Sequence, residues 1–410
     1  MMLIIFFHVY QNNFLGPFAT FLDLQKFITT KANMFVLQMS IAVDTFFTVA
    51  GILVTYNFMK NYDKTGKYGV ADILKSYVHR YFRLTPVLLV MILLHMYILE
   101  YVGEGPTHYN VQSTLSSRCH KYWWSALLYV QNYVNPMKDC VPQSWYLSVD
   151  MQLFILSPFY LIILKHFPKF TRYLNVTLIF VSIIVPFYVS YVGEFPYAGY
   201  VSDERGDDYM IDYYMKTHCR FGVYVIGMIC GYYIYQIKKE KKSINLQNFI
   251  RVPVWVLTIS VLVLCWMIAI VFMGKEKDVG ANAAFNSTFR QVFSLGLSSL
   301  VLLCVTGNGG FINDFLSLPV FQVLTKLSYS MYLVHYAETV IRASSTVYIR
   351  KFSRLTLFLD YCGDFTITLI LSYFCVIMFE IPFVTLDKYL FSSIEAVYVK
   401  FKSLSGKKSP

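Results

Sequence analysis

The chain has 410 residues, of which 56% are apolar, 18% aromatic and only 14% charged. Soluble domains carry roughly 25% charged residues, so this composition excludes an ordinary soluble enzyme. With 20 glycines and 13 prolines the chain is also not collagen-like or disordered, and the sequence predicts an all-α, polytopic integral membrane protein.

The net charge of +11 is carried by short basic clusters between apolar runs. This distribution is typical of cytoplasmic loops in membrane proteins. We therefore expect membrane lipids, and no nucleic acid, as partners.

Ten apolar segments are candidates for membrane-spanning helices, each of which needs about 20 residues. They cover residues 1–15, 36–59, 84–100, 145–164, 174–193, 219–236, 252–273, 289–306, 323–341 and 365–390. The first makes only about 22 Å of helix, so we expect the chain to begin inside a helix. Residues 122–134 are aromatic but short, and we interpret them as an interfacial or re-entrant piece.

The charge of the loops predicts the orientation. Residues 60–83, 165–173 and 236–251 are rich in lysine and arginine, which places them in the cytoplasm, whereas residues 194–218 are acidic. Alternation then puts both termini in the cytoplasm, together with a basic tail at 391–410. The loop 342–364 is basic but external, and it opposes this topology.

Two modifications are predicted for the external loops. Cys119 and Cys140 share one loop in an oxidising compartment, so we expect a disulfide worth roughly 3 kcal/mol. Asn286, in Asn-Ser-Thr, is expected to be glycosylated, whereas Asn175, at a cytoplasmic helix start, is not.

Ionisable residues inside apolar helices are costly, and each is a functional candidate. They are His8, Asp44, Asp150 and His335, with Arg220 and Arg290 at outer helix ends. A neutral His8 imidazole can accept the proton of a hydroxyl, as O-acylation requires, with Asp44 supporting it. For these residues, and for His335, hydrogen bonding between packed helices is the alternative.

Arg80 and Arg83 lie on one helical face at the cytoplasmic boundary. Their guanidinium groups can bind the phosphates of a donor such as coenzyme A. The alternative is that they only follow the rule of positive cytoplasmic loops. Pro86 predicts that the helix starts beside them.

In the fourth segment Trp145, Ser148 and Gln152 recur at helical spacing, with Asp150 off this stripe. The stripe either lines a cavity or is a hydrogen-bonded packing face. Gly227 and Gly231 indicate a close helix contact.

Five strings together resemble one family. They are VDTFFTVAGIL, HRYFRLTP, SWYLSVDMQLFILSP, RQVFSLGLSSLVLLCVTGNGGFINDFLS and LSYSMYLVHY, in this order. Over residues 1–390 the chain resembles the membrane core of acyltransferase family 3, in its nose resistant to fluoxetine branch.

The resemblance implies a ten-helix core that moves an acyl group from cytoplasmic acyl-CoA to a hydroxyl acceptor, such as a lipid, sterol or carbohydrate. It matches His8 to the family's catalytic base and Arg80 and Arg83 to its donor-binding pair. Asp150, Arg220, Arg290 and His335 match further family positions. Acyl-CoA is then a co-substrate, with no permanently bound cofactor and no metal.

The sequence also departs from the family. Ala50 replaces a serine, Asp150 stands where bacterial members have glutamate, and the first helix is incomplete. These departures put activity in doubt more than fold. A lipid or small-molecule transporter on the same scaffold is the alternative function, in the plasma membrane or the endoplasmic reticulum.

Overall fold

The structure is a computed structural model. It describes residues 1–17, 38–66, 68–197, 206–240, 246–268 and 278–390, with Ile244 and isolated positions between 19 and 36. The basic tail predicted at 391–410 lies outside the described residues.

The described residues form an all-α bundle of fourteen α-helices. These helices are α1 Met2–Asn12, α2 Ala42–Thr65, α3 Val70–Tyr97, α4 His108–Leu127, α5 Gln131–Val134, α6 Trp145–His166, α7 Pro168–Val192, α8 Gly206–Tyr209, α9 Thr217–Lys239, α10 Asn248–Met267, α11 Val279–Val305, α12 Gly310–Leu316, α13 Pro319–Ser344 and α14 Arg354–Cys375. Four short 3₁₀ segments lie at Asn13–Leu15, Gln38–Ile41, Leu99–Tyr101 and Pro142–Ser144. Wider π-helical turns occur at Met210–Tyr214 and Val376–Glu380.

Seven helices of the described chain are long and apolar enough to cross a membrane, as a multi-pass membrane protein requires. They cover 38–65, 70–97, 142–166, 168–192, 248–267, 279–305 and 354–390. The other three predicted spans also form helices, namely α1, α9 and α13. Helix α1 has only 11 residues, and α9 and α13 are long enough but carry more polar side chains, including several tyrosines.

Helix α3 starts earlier than predicted. The Asp72 carboxylate accepts a hydrogen bond from the backbone N–H of Gly69 at 2.8 Å, which caps the helix there. Pro86 therefore lies inside α3, so the prediction that the helix starts beside it is wrong. Membrane helices tolerate an internal proline. As a result, Arg80 and Arg83 are held on a continuous helix.

The external connection before α6 is largely helical. Helix α4 contains the first part of the segment predicted to be interfacial, and α5 contains most of the rest. Cys119 of α4 and Cys140 form the predicted disulfide, which fixes α4 to the chain that enters α6. This link therefore holds the outer end of the bundle together.

Helices α2 and α9 pack with their backbones in near contact. A Cβ atom on Gly227 would lie 2.2 Å from the carbonyl oxygen of Thr48, and one on Gly51 would lie 2.3 Å from that of Tyr224. Gly231 meets Ile52 in the same way, at 2.4 Å. The close contact predicted from Gly227 and Gly231 is confirmed, and it brings the start of α2 against the start of α9.

Candidate functional site

A cavity of about 130 Å³ surrounds the His8 side chain. Helices α1, α2, α6 and α13 form its walls together with the segment before α9. Its polar and aromatic lining comprises Phe7, His8, Gln11, Ser40, Gln143, Trp145, Tyr214, Tyr332 and Tyr336. Imidazole, amide and hydroxyl groups thus face one small space inside the bundle.

His8 lies beside His335, and their ring centroids are 5.1 Å apart. Nδ1 of the fully buried His335 is 3.1 Å from the carbonyl oxygen of Met331. A carbonyl can only accept, so this Nδ1 carries the hydrogen and donates it, which leaves Nε2 as an acceptor. Neither that Nε2 nor Nδ1 of His8 has a hydrogen-bond partner. The two rings therefore offer unused nitrogens inside the protein.

Asp44 does not support His8 in this structure. Its Oδ1 accepts a hydrogen bond from Nη1 of Arg220, and its Oδ2 accepts one from Nη1 of Arg290, each at 2.6 Å. Both carboxylate oxygens are thus held by guanidinium groups, and Tyr336 packs edge-on against the His8 ring at 5.2 Å instead. The geometry agrees with the alternative reading of Asp44 as a partner in helix packing.

Asp44, Arg220 and Arg290 form a buried charge centre. Their exposed fractions are 0%, 1% and 2%, and together they carry one net positive charge. Nε of Arg220 donates to the carbonyl oxygen of Tyr214 at 2.9 Å, and the guanidinium lies 4.1 Å from the centroid of the Tyr214 ring. Because Tyr214 also lines the cavity, this positive centre lies directly behind the cavity wall.

Arg80 and Arg83 have different surroundings. Arg80 forms an ion pair with the buried Asp150, and its guanidinium lies 4.3 Å from the centroid of the Phe154 ring. Arg83, one turn further along α3, is exposed. Arg83 is therefore the more exposed of the two, and the Arg80 side chain is 20% exposed.

Helix α6 connects this basic region with the cavity. Trp145 lines the cavity and Asp150 holds Arg80, and the five residue steps from one to the other correspond to about 7.5 Å along the helix axis. The predicted polar stripe on this helix is divided. Ser148 is buried near Trp145, whereas Gln152 donates to the Tyr129 carbonyl at 2.8 Å and is a packing residue.

Asn286 is unsuited to the predicted glycan. It is 1% exposed, and its Nδ2 donates to Oγ of Ser190 at 2.9 Å and to the carbonyl oxygen of Pro196 at 3.1 Å. A glycan attaches through this nitrogen, which the fold buries in α11. The structure contradicts this predicted site. Asn175 accepts a hydrogen bond from the Tyr160 hydroxyl at 2.8 Å.

Gln143, Tyr332 and Tyr336 line the cavity but were not among the predicted residues. The Tyr332 hydroxyl donates to the carbonyl oxygen of Gln143, and Nε2 of Gln143 donates to the carbonyl of Leu333 at 2.8 Å. Tyr332 lies one turn before His335 on α13, so helical spacing was an available signal for it. Gln143 lies in the short 3₁₀ segment before α6, so no helical periodicity in the sequence could have identified it.

Comparison with known proteins places the chain in a family context. The sequence profile of acyltransferase family 3, described as an acyltransferase domain, matches residues 1–380. The chain is 24% identical to "Nose resistant to fluoxetine protein 6" of Caenorhabditis elegans over 87% of its length, and 23% identical to "Regulator of hypoxia-inducible factor 1" of the same organism over 72%. It is 22% identical over 72% of its length to a protein of Staphylococcus aureus named "Putative O-acetyltransferase".

These matches cover 46%, 59% and 45% of the respective relatives, so the chain spans about half the length of the proteins it resembles. No solved structure matches the chain.

Proposed function

The chain belongs to acyltransferase family 3, and from this premise we propose that it transfers an acyl group from cytoplasmic acyl-CoA to the hydroxyl of an acceptor at or across the membrane. The observation that carries the proposal is the His8 imidazole, which lines an internal cavity and has one ring nitrogen without a hydrogen-bond partner. The name of the staphylococcal relative supports a hydroxyl acceptor.

His8 serves as general base in this proposal. It takes the proton of the acceptor hydroxyl while the hydroxyl oxygen attacks the thioester carbonyl. The carbon–sulfur bond then breaks, an ester forms, and the leaving thiolate of coenzyme A takes the proton from His8. His335 positions His8 from behind, and the net positive charge of the Asp44 centre favours the negative charge that develops on the carbonyl oxygen.

The donor enters from the end of the bundle that carries Arg83. This exposed guanidinium binds donor phosphate, and the ion pair between Arg80 and Asp150 fixes the adjoining wall. The ring of Tyr146 lies 5.4 Å from that of Tyr332, so aromatic side chains continue from this wall to the cavity. An extended donor thus reaches from Arg83 towards His8.

The test measures acyl-CoA binding and turnover by the purified chain in detergent. We expect His8→Ala to bind acyl-CoA like wild type and to lose about 10²- to 10⁴-fold in turnover, because the general base is absent. Arg83→Ala should weaken donor binding about tenfold or more, since a charge-assisted phosphate contact is lost. Arg172→Ala, which removes another exposed basic residue, is the matched control.

Arg80→Ala is a poorer probe, because it would leave buried Asp150 unpaired and disturb the fold. Full turnover by His8→Ala would overturn the proposed base. If wild type neither binds nor consumes acyl-CoA but accumulates a lipid cargo in vesicles, the transporter function replaces the enzyme.

A further inference from the structure

A second cavity, larger than the one at His8, lies between α7, α9, α10 and α11. Its volume is about 440 Å³, and its wall on α9 is a stripe formed by Ile226, Ile229, Cys230, Tyr233 and Ile237. Tyr233 and Leu295 border the cavity and are 57% and 55% exposed on the outer surface of the bundle. The cavity is therefore open to the side where lipid lies.

Most side chains that line this cavity are aliphatic. The hydroxyl groups of Ser299 and Thr306 also line it, but both are already hydrogen-bonded, to the Thr258 hydroxyl and to the Leu302 carbonyl oxygen, each at 2.8 Å. Ser298 adds one further hydroxyl. A hydrocarbon chain suits such a cavity, because it gains from leaving water and needs no hydrogen-bond partner.

Two lysines lie beside this cavity, near the ends of α2 and α9. The ammonium groups of Lys60 and Lys238 are 6.0 Å and 5.3 Å from the centroid of the Tyr56 ring. Tyr56 packs against a buried cluster that contains Cys230, and Leu302 packs against the same cluster. Since Cys230 and Leu302 both line the cavity, the lysine pair adjoins its apolar wall.

The ends of α2, α6 and α9 carry an excess of positive charge. They bear five lysines and two acidic residues, namely Lys60, Lys64, Lys165, Lys238, Lys239, Asp63 and Glu240. Asp63 pairs with Lys165 at 3.2 Å and with Lys239 at 2.6 Å. Among the described residues, Lys60 and Lys238 contact Tyr56 but form no ion pair. The three helix ends supply only about half a negative charge each, so the excess remains.

From this geometry we propose that the cavity and the pair of Lys60 and Lys238 together bind an anionic phospholipid. Its acyl chain lies in the cavity, and its acidic head group lies against the two ammonium groups. An acidic head group supplies the negative charge that this end of the bundle lacks, whereas a zwitterionic head group has no net charge. In the topology predicted from the loop charges this end faces the cytoplasm, where the leaflet contains anionic lipids.

The site is separate from the His8 cavity. Val43 lines that cavity at the start of α2, and Tyr56 follows 13 residues later, which is about 20 Å along the helix axis. No described residue lines both cavities. A bound lipid therefore leaves the proposed reaction cavity free, and the inference does not depend on the acyltransferase chemistry.

The experiment uses the full chain in phosphatidylcholine nanodiscs that contain a small fraction of photoreactive phosphatidylserine, with the reactive group in the acyl chain. We expect cross-links on α9, α10 and α11, about tenfold more than with photoreactive phosphatidylcholine of the same acyl chains. Equal labelling by the two lipids would overturn the proposal. Suppression of the labelling by free coenzyme A would assign the lysines to an acyl donor and would also overturn it.

Two pairs of substitutions test the head-group contact. Lys60→Ala with Lys238→Ala should reduce labelling by phosphatidylserine about tenfold, whereas arginine at both positions should retain it, because the charge remains. Lys169→Ala with Arg172→Ala is the matched control, since it removes two exposed basic residues at the start of α7. Equal labelling of the two double alanine variants would show that the lysine pair does not select the lipid, and the proposal would fail.

A tryptophan locates the acyl chain. Leu295→Trp should fill part of the cavity and reduce labelling, whereas Val292→Trp should not, because Val292 is 41% exposed on the same helix and does not line the cavity. If both tryptophan variants are labelled alike, the acyl chain does not occupy this cavity.

Discussion

At the residue scale, the buried charge of Asp44 is stabilised by two arginines. The side chain is completely buried, and each of its oxygens is held by a different arginine. Taking three charges out of water is expensive, so the arrangement is stable only while all of them are present. The centre thereby fixes α2, α9 and α11 relative to one another beneath the proposed reaction cavity.

Replacing Asp44 with Ala should destabilise the protein by about 3 to 5 kcal/mol, since two guanidinium groups would remain buried without a counter-charge. The measurement is the midpoint of thermal unfolding in detergent, followed by size-exclusion chromatography. Asp63→Ala is the control, because Asp63 pairs with Lys239 and Lys165 at a solvent-exposed helix end and its loss should matter far less. Equal losses would contradict the role given to the centre.

The burial of Asp139 predicts that the stability of the protein depends on pH. It lies next to Cys140, outside the membrane-spanning helices, and its burial raises the pKa of the carboxyl to about 8. In the unfolded chain this pKa is about 3.9. Because the folded pKa is the higher one, the neutral form favours folding, and this contribution is lost as the pH rises from about 4 to 8.

We therefore expect the free energy of unfolding of wild type to fall between pH 5 and pH 8, by at most about 1.4 kcal/mol per pH unit. The unfolding temperature should fall with it. Asp139→Asn should remove this part of the pH dependence. Asp314→Asn changes an exposed carboxyl and should leave the profile unchanged. An identical slope in wild type and Asp139→Asn would refute the assignment.

The sequence indicated which polar residues lie inside the bundle, and less well which of them contact each other. The cost of ionisable groups in a membrane identified His8, Asp44, Asp150, Arg220, Arg290 and His335. All except Asp150, which pairs with Arg80, lie at or directly behind one cavity. The two arginine partners of Asp44 were not predicted, because contacts across 176 or more residues depend on how helices pack and leave no local pattern.

At the scale of helices, the contact between α2 and α9 depends on residues without side chains. Gly227→Ala would place a methyl group against the backbone of Thr48, which cannot give way as a side chain can. We expect a loss of about 1 to 3 kcal/mol in stability and reduced acyl-CoA turnover, because Arg220 would move with α9.

Gly363→Ala is the matched control for this helix contact, since no atom lies within 4 Å of the position of its added methyl group. It should leave both thermal stability and turnover close to wild type. If the two alanine variants have the same stability and turnover, the close approach of α2 and α9 determines neither property.

Helix α4 shows what the sequence did not predict about the elements. Its residues are too polar for a membrane span, so the sequence predicts an external loop here, followed by the interfacial piece at 122–134. The disulfide from Cys119 and packing against α3 stabilise it instead. Both are tertiary effects that a local sequence pattern does not contain.

For the whole molecule, the positive charge of the external loop 342–364 is a weaker objection to the proposed topology than the sequence alone indicates. Arg342 and Arg350 are paired with Asp360 and Asp364, so their charge is neutralised within the protein. We retain the proposal of ten membrane crossings with both termini in the cytoplasm.

This topology predicts which positions a membrane-impermeant maleimide reaches in sealed vesicles with the cytoplasmic face outward. Lys64→Cys should be labelled directly, and Tyr101→Cys, where the native side chain is 83% exposed, only after the vesicles are opened. Serine at Cys304 and Cys362 removes the partly exposed native thiols. Labelling of Tyr101→Cys in sealed vesicles would invert the orientation.

The charge centre also has a consequence for biosynthesis. Asp44 needs Arg220 and Arg290, which leave the ribosome 176 and 246 residues later. At typical translation rates the carboxylate waits roughly 12 to 50 s for its second partner. During that interval the nascent α2 must stay in contact with the insertion machinery or be only partly inserted in the bilayer. A ribosome stalled before codon 220 would therefore leave a nascent chain in which the charge of Asp44 has no partner.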